Sequence, residues 1–144
     1  RHGSTVIIVE ASFDTMMVHQ AGFPNVVAIL GGNATPAHYS LLERHFDTAI
    51  IMTDYDDRDK HNYNNCKKCR RLGYERCLGH NPGRELGHAL ELGLRNMTVD
   101  WAYFGDGKVY PDGVKDSCDM TEEQIRKCIN GAISGLEYKM LDLD

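Results

Sequence analysis

No stretch of this 144-residue chain stays apolar for the roughly 20 positions a membrane-crossing helix needs, and no secretory signal is visible. Those absences exclude a membrane-anchored reading and point to a soluble chain. There is no internal repeat and no low-complexity tract, so the sequence is neither a repeat array nor a biased linker. A secreted disulfide framework is excluded too, because three of the five cysteines crowd between positions 66 and 77 instead of spreading along the chain. An initiating methionine is missing: the chain starts at Arg1, and Gly3-Ser4 looks like a cloning remnant, so the expectation is one domain's worth of a longer protein.

The charge that is present is unevenly placed. From position 58 to 84 there are eight Lys/Arg (Arg58, Lys60, Lys67, Lys68, Arg70, Arg71, Arg76 and Arg84) against Asp59 and Glu75, a local +6 that leaves -11 for the rest of a -5 chain. A basic patch beside an acidic remainder suits a polyanionic substrate gripped in one place and processed in another.

Short β-branched runs alternate with helical patterns. Residues 6–9, 26–30, 48–53 and 99–104 read as strands, the first with the pattern of a strand buried on both faces. Ser12 is placed to cap a helix to about Ala21, with Met16, Met17 and Gln20 on its pattern and Gly22 as the stop. Thr35-Pro36 opens a second helix carrying Tyr39, Leu41, Leu42 and Phe46. Asn81-Pro82 opens a third to Leu94, burying Leu86, Ala89, Leu90 and Leu94. Thr121 with Gln124 matches a capping box for a last helix whose inner face holds Ile125, Cys128, Ile129, Ala132 and Ile133. The fold class is therefore α/β: an open, Rossmann-like parallel sheet of about four strands flanked by helices, one domain over residues 1–144. The rhythm breaks only at 58–80, a polar, basic insertion.

Glu10 ends the first strand, and Asp54 and Asp56 follow the third. In parallel strands of one open sheet all three carboxylates gather at the carboxyl edge, where α/β folds bind ligands. Such carboxylates repel one another unless a hard divalent cation, Mg2+ or Mn2+, sits among them.

A strand-ending glutamate followed by a later Asp-x-Asp resembles the signature of the TOPRIM domain, found in DnaG-like primases, topoisomerases, some nucleases and RecR recombination proteins. Val9-Glu10-Ala11-Ser12-Phe13-Asp14 is similar to the family's Glu-Gly-x-x-Asp, with Ala11 in place of glycine, and Asp54-Tyr55-Asp56 is the second motif. The turn 31–35, the Pro82-Gly83-Arg84 helix start and Lys115-Asp116-Ser117-Cys118-Asp119 resemble primase motifs in the same order, with Ser117 in place of proline. The resemblance implies a catalytic fragment, inactive alone, of a bacterial or phage DNA primase that joins nucleoside triphosphates into RNA primers on single-stranded DNA. It implies catalytic roles for Glu10, Asp54 and Asp56: Glu10 as general acid/base or ligand, the two aspartates holding magnesium. Asp14, Asp57 and Asp116 would be secondary members of the acidic cluster, although Asp14 also suits the dipole of its helix. Other domains of the parent protein and a replicative helicase would be partners, and the cytoplasm of a bacterial or phage-infected cell the location. Two rivals share the features: a TOPRIM nuclease, and a RecR-like DNA-binding protein without catalysis.

Within the insertion, Cys66-x2-Cys69 and Cys77-x2-His80 are separated by seven residues. Two such pairs can close a tetrahedral Cys3His zinc site, with His61 as a substitute fourth ligand, and metal binding would supply the folding energy that so polar a segment lacks. Lys67, Lys68, Arg70, Arg71 and Arg76 are interleaved with those ligands, so the expected zinc module doubles as a nucleic-acid grip, extended by Arg84 at the next helix start.

Overall fold

The computed structural model describes residues 4–56, 66–67, 71 and 81–144. Its centre is a five-stranded sheet in the order β2-β1-β3-β4-β5, with β1 (Thr5–Val9), β2 (Val26–Ala28), β3 (Thr48–Ile51) and β4 (Thr98–Trp101) all parallel. The fifth strand, β5 (Ile133–Ser134), runs antiparallel along β4 and pairs Ile133 with Trp101. β1 is an interior strand, between β2 and β3, and is covered on both faces: Val6, Ile7, Ile8 and Val9 are at most 1 % exposed, and apolar residues on both faces need a layer on each side.

Those layers are α1 (Ser12–Gln20), α2 (Pro36–His45), α3 (Pro82–Gly93), α4 (Glu122–Asn130) and α5 (Gly135–Met140), with a 3-10 turn at Ser117–Asp119. The expected caps form at three helices. The Thr35 hydroxyl accepts the His38 amide, the Asn81 side chain accepts the Arg84 amide, and Thr121 and Gln124 bond reciprocally. At α1 the cap position falls on Ala11, and Ser12 is already helical; the work passes to Asp14, whose Oδ2 accepts the Ala11 amide at 3.3 Å.

Several expected faces turn out differently. Ile133 lies in β5, because α4 stops at Gly131, where a Cβ would come within 2.8 Å of the Tyr103 carbonyl and 2.9 Å of that of Lys127. α3 buries Gly87 against the Trp101 ring, while Ala89 faces outward. Met16 and Leu41 are also exposed, so α1 and α2 are held mainly by Val18 and Leu42. No helix among the described residues is long and apolar enough to cross a membrane.

Candidate metal centre

Because β1 and β3 are neighbours in parallel register, with Ile8 opposite Ile51, Glu10 and Asp54 leave the sheet side by side at its carboxyl edge. The Glu10 carboxylate lies against that of Asp54. Burial, then Glu10, then the charges of Asp14 and Asp116 push the Asp54 carboxyl up to about 8. One of its oxygens, Oδ1, is enclosed and has no hydrogen-bond partner among the described residues. A buried carboxylate oxygen without a donor is costly unless a proton or a cation reaches it.

Asp56 is fixed from the other side, by the first turn of α3. Its amide donates to Asn81 Oδ1 at 2.7 Å, and its Oδ2 accepts the Gly83 amide at 3.0 Å. The carboxylate thus satisfies an orphan donor at a helix amino terminus, where the dipole also favours negative charge. Gly83 is required for this approach, since a Cβ there would lie 2.0 Å from the Asp54 carbonyl oxygen. Between the motifs the Tyr55 amide donates to the Lys115 carbonyl at 2.7 Å, and the Lys115 ammonium reaches Asp56 Oδ1 at 3.2 Å and Asp54 Oδ2 at 3.9 Å. The Asp56 hydrogen bond and charge raise the Lys115 pKa.

A second acidic group adjoins the first. Asp14, 3 % exposed, accepts the Ser117 hydroxyl at 2.7 Å and the Cys118 thiol at 3.4 Å on Oδ1. Asp116 accepts the Cys118 amide at 2.9 Å. Ligand atoms of Asp14, Asp116 and Cys118 all lie within 4.8 Å of one another. Burial and the charge of Asp14 raise the Asp116 carboxyl and push the Cys118 thiol up to about 12, so that thiol is protonated at neutral pH.

Glu10 meets Asp54, and Lys115 links Asp54 to Asp56; Asp14 and Asp116, which the family resemblance and not the strand-edge argument singles out, meet at Cys118. Asp57, Lys68, Cys69, Arg70, Arg76, Cys77 and His80 lie outside the described residues; of the insertion, Cys66 is buried and Lys67 and Arg71 are exposed. Arg84 requires correction. Expected to grip nucleic acid, it is 1 % exposed, with Nε on the Asp54 carbonyl at 3.2 Å and Nη2 bonded to the Thr53 carbonyl and to the Tyr110 hydroxyl. Its neighbour Gly83 brings α3 so close to β3 that the side chain has only the interior to enter. Sequence reasoning read Asn81 only as a helix cap and gave no site role to Lys115 or Ser117. The Lys115-Asp116-Ser117 motif was itself the available signal for two of them, but a motif does not say which side chain faces which carboxylate.

Glu10, Asp54 and Asp56 offer hard oxygens of the kind that suit Mg2+ or Mn2+, and Asp54 Oδ1 is buried without a partner among the described residues, whereas the group whose ligand atoms lie together, Asp14, Asp116 and Cys118, includes a thiol. Nothing among the described residues bears on zinc beyond the placement of Cys66.

Comparison with known proteins agrees with this geometry. Residues 4–59 match the family model described as Toprim domain. DNA primases of Helicobacter pylori and Rickettsia prowazekii are 39 % and 45 % identical to the chain over 51 residues, which is 35 % of the chain and 9 % of each relative. The Clostridium acetobutylicum DNA primase is 43 % identical over 54 residues. The Aquifex aeolicus primase, solved as its zinc-binding and RNA polymerase domains, shares the fold over 93 % of the chain with a TM-score of 0.63 at 23 % identity. The chain spans 27 % of that structure's chain. A DnaG primase catalytic domain bound to single-stranded DNA matches over 96 % of the chain with a TM-score of 0.57 at 20 % identity.

Proposed function

We propose, from the match of residues 4–59 to the Toprim domain model and the similarity to DNA primases, that the chain is the divalent-metal-binding part of a DnaG-like DNA primase, acting in nucleotidyl transfer on single-stranded DNA. The observation that carries this reading is the Glu10–Asp54 contact at the sheet edge, where the Asp54 carboxyl is raised to about 8 around an unpartnered buried oxygen. Bound there, Mg2+ would lower the pKa of an attacking hydroxyl and neutralise charge on a departing pyrophosphate. Glu10, Asp54 and Asp56 would hold it, Asp14 and Asp116 extending the field; Asp57 belongs to the same proposal. Lys115 supplies a positive charge at the same carboxylates, suited to a phosphate of the nucleotide.

Metal ions alone do not position template and nucleotide, so the 144 residues by themselves should make no primers at a useful rate. The remaining domains of a longer protein, and a replicative helicase, would supply that positioning. The insertion is read as a zinc-held grip for single-stranded DNA, with Cys66, Cys69, Cys77 and His80 as ligands and Lys67, Lys68, Arg70, Arg71 and Arg76 facing phosphate. Elemental analysis should find one zinc per chain, and a Cys66→Ser/Cys69→Ser variant should lose both zinc and DNA affinity; retention of both would leave an ordinary basic loop.

The function itself is tested by incubating the full-length parent protein with single-stranded DNA, Mg2+ and labelled ribonucleotides. Labelled oligoribonucleotides are expected. Cleaved DNA without synthesis would make the protein a nuclease, and DNA binding with neither product would favour the RecR-like reading.

A further inference from the structure

We infer that Arg84 is a positioning residue of the metal centre, a buried guanidinium that fixes the loop after β3 and with it the geometry Asp54 and Asp56 offer to a small divalent ion. The inference rests on the proposed metal-binding role of those carboxylates. Burying a cation is expensive, and among the described residues Arg84 is bonded to no carboxylate that would offset the cost. Its described acceptors are two successive main-chain carbonyls, Thr53 and Asp54, and the Tyr110 hydroxyl. The rings of Tyr110, Trp101 and Tyr55 have centroids 5.2, 5.6 and 5.7 Å from the guanidinium carbon.

A planar, forked donor that spans adjacent carbonyls fixes the orientation of the peptide between them, and that peptide sets the direction in which the Asp54 side chain leaves the backbone. Tyr110 makes a second tie, donating to the Thr53 carbonyl at 2.6 Å. Further along the loop the Tyr55 amide is held by the Lys115 carbonyl, the Asp56 amide by Asn81 Oδ1 and the Asp56 carboxylate by the Gly83 amide, so that with Arg84 and Tyr110 each residue from Thr53 to Asp56 carries at least one restraint. Such over-determination is of little use to a loop that merely connects. It suits a ligand set for Mg2+, which demands near-ideal octahedral geometry, whereas Ca2+ tolerates irregular and larger coordination.

The selectivity between those two ions is the readout that a merely stabilising residue would leave alone. In the full chain, Mg2+ and Ca2+ affinities are measured by competition against Mn2+ for wild type and Arg84→Lys, which keeps the charge but not the fork. Mg2+ affinity is expected to fall about 10-fold or more with Ca2+ affinity changed far less, so that the preference for Mg2+ shrinks. A lower unfolding temperature with an unchanged Mg2+ to Ca2+ ratio would overturn the positioning role. Tyr110→Phe removes one tie of the same latch with little change in shape, and covers the case in which Arg84→Lys does not fold. A smaller shift in the same direction is expected of it, and an unchanged ratio in the folded protein overturns the role. Wild type that binds none of the three ions would instead remove the metal reading itself.

Discussion

Asp54 is the residue in which the fold and the candidate chemistry conflict most directly. Its carboxyl titrates near 8 in the folded chain against 3.8 when unperturbed, because burial and the Glu10 charge disfavour the ionised form. The folded state therefore holds this proton more tightly than the unfolded one. The contribution to stability is complete below about pH 4 and is lost as pH rises through about 8. Without metal, thermal unfolding should move to lower temperature between those limits, and Asp54→Asn should flatten that part of the profile while stabilising the protein at pH 8 by on the order of 1 kcal/mol. Proton and divalent ion compete for the same oxygens, so Mn2+ affinity of the wild type should rise over the same interval. A wild-type unfolding profile flat across it would show that Glu10 and Asp54 do not share a buried charge.

At the scale of elements, the junction between β3 and the first turn of α3 carries the site. Gly83→Ala should cost about 2–4 kcal/mol, because its Cβ would have to displace backbone rather than a flexible side-chain end. It should also weaken Mn2+ binding, since the Gly83 amide and the Asp56 carboxylate separate; chemical denaturation and a manganese titration check the two effects. Much of this layer was legible in the sequence. The β-branched runs of β1 and β3 need two apolar layers, Thr35, Asn81 and Thr121 are strong caps, and a carboxylate just past a buried parallel strand can only sit at the sheet edge. What was hidden depended on tertiary contact. The two residues of β5 are too few to show a period, and their pairing with β4 depends on where Gly131 ends α4. Arg84 carries the charge of a surface residue, and nothing in its local sequence says that two carbonyls and three rings await it inside. Asp14 accepts the Ala11 amide at the start of its helix and also lies beside Asp116 and Cys118.

At the scale of the whole molecule, the five strands and the helices named above are all built from residues outside 58–80. Replacing it with a four-residue Gly/Ser linker should leave the fold intact and lower the loop-closure cost by about 1.5 kcal/mol. If the proposed grip holds, single-stranded DNA affinity and its salt dependence should fall together, because the replacement removes the Lys and Arg residues of that segment. A replacement that unfolds the chain, seen by circular dichroism, would mean that the segment is part of the core.

One side-chain oxygen, Asn81 Oδ1, accepts the Asp56 amide before the segment and the Arg84 amide after it. The polypeptide thus leaves the sheet and re-enters it through a single doorway already closed by its own frame. A lineage could lengthen, exchange or discard whatever hangs outside that doorway while the carboxylate edge keeps its shape.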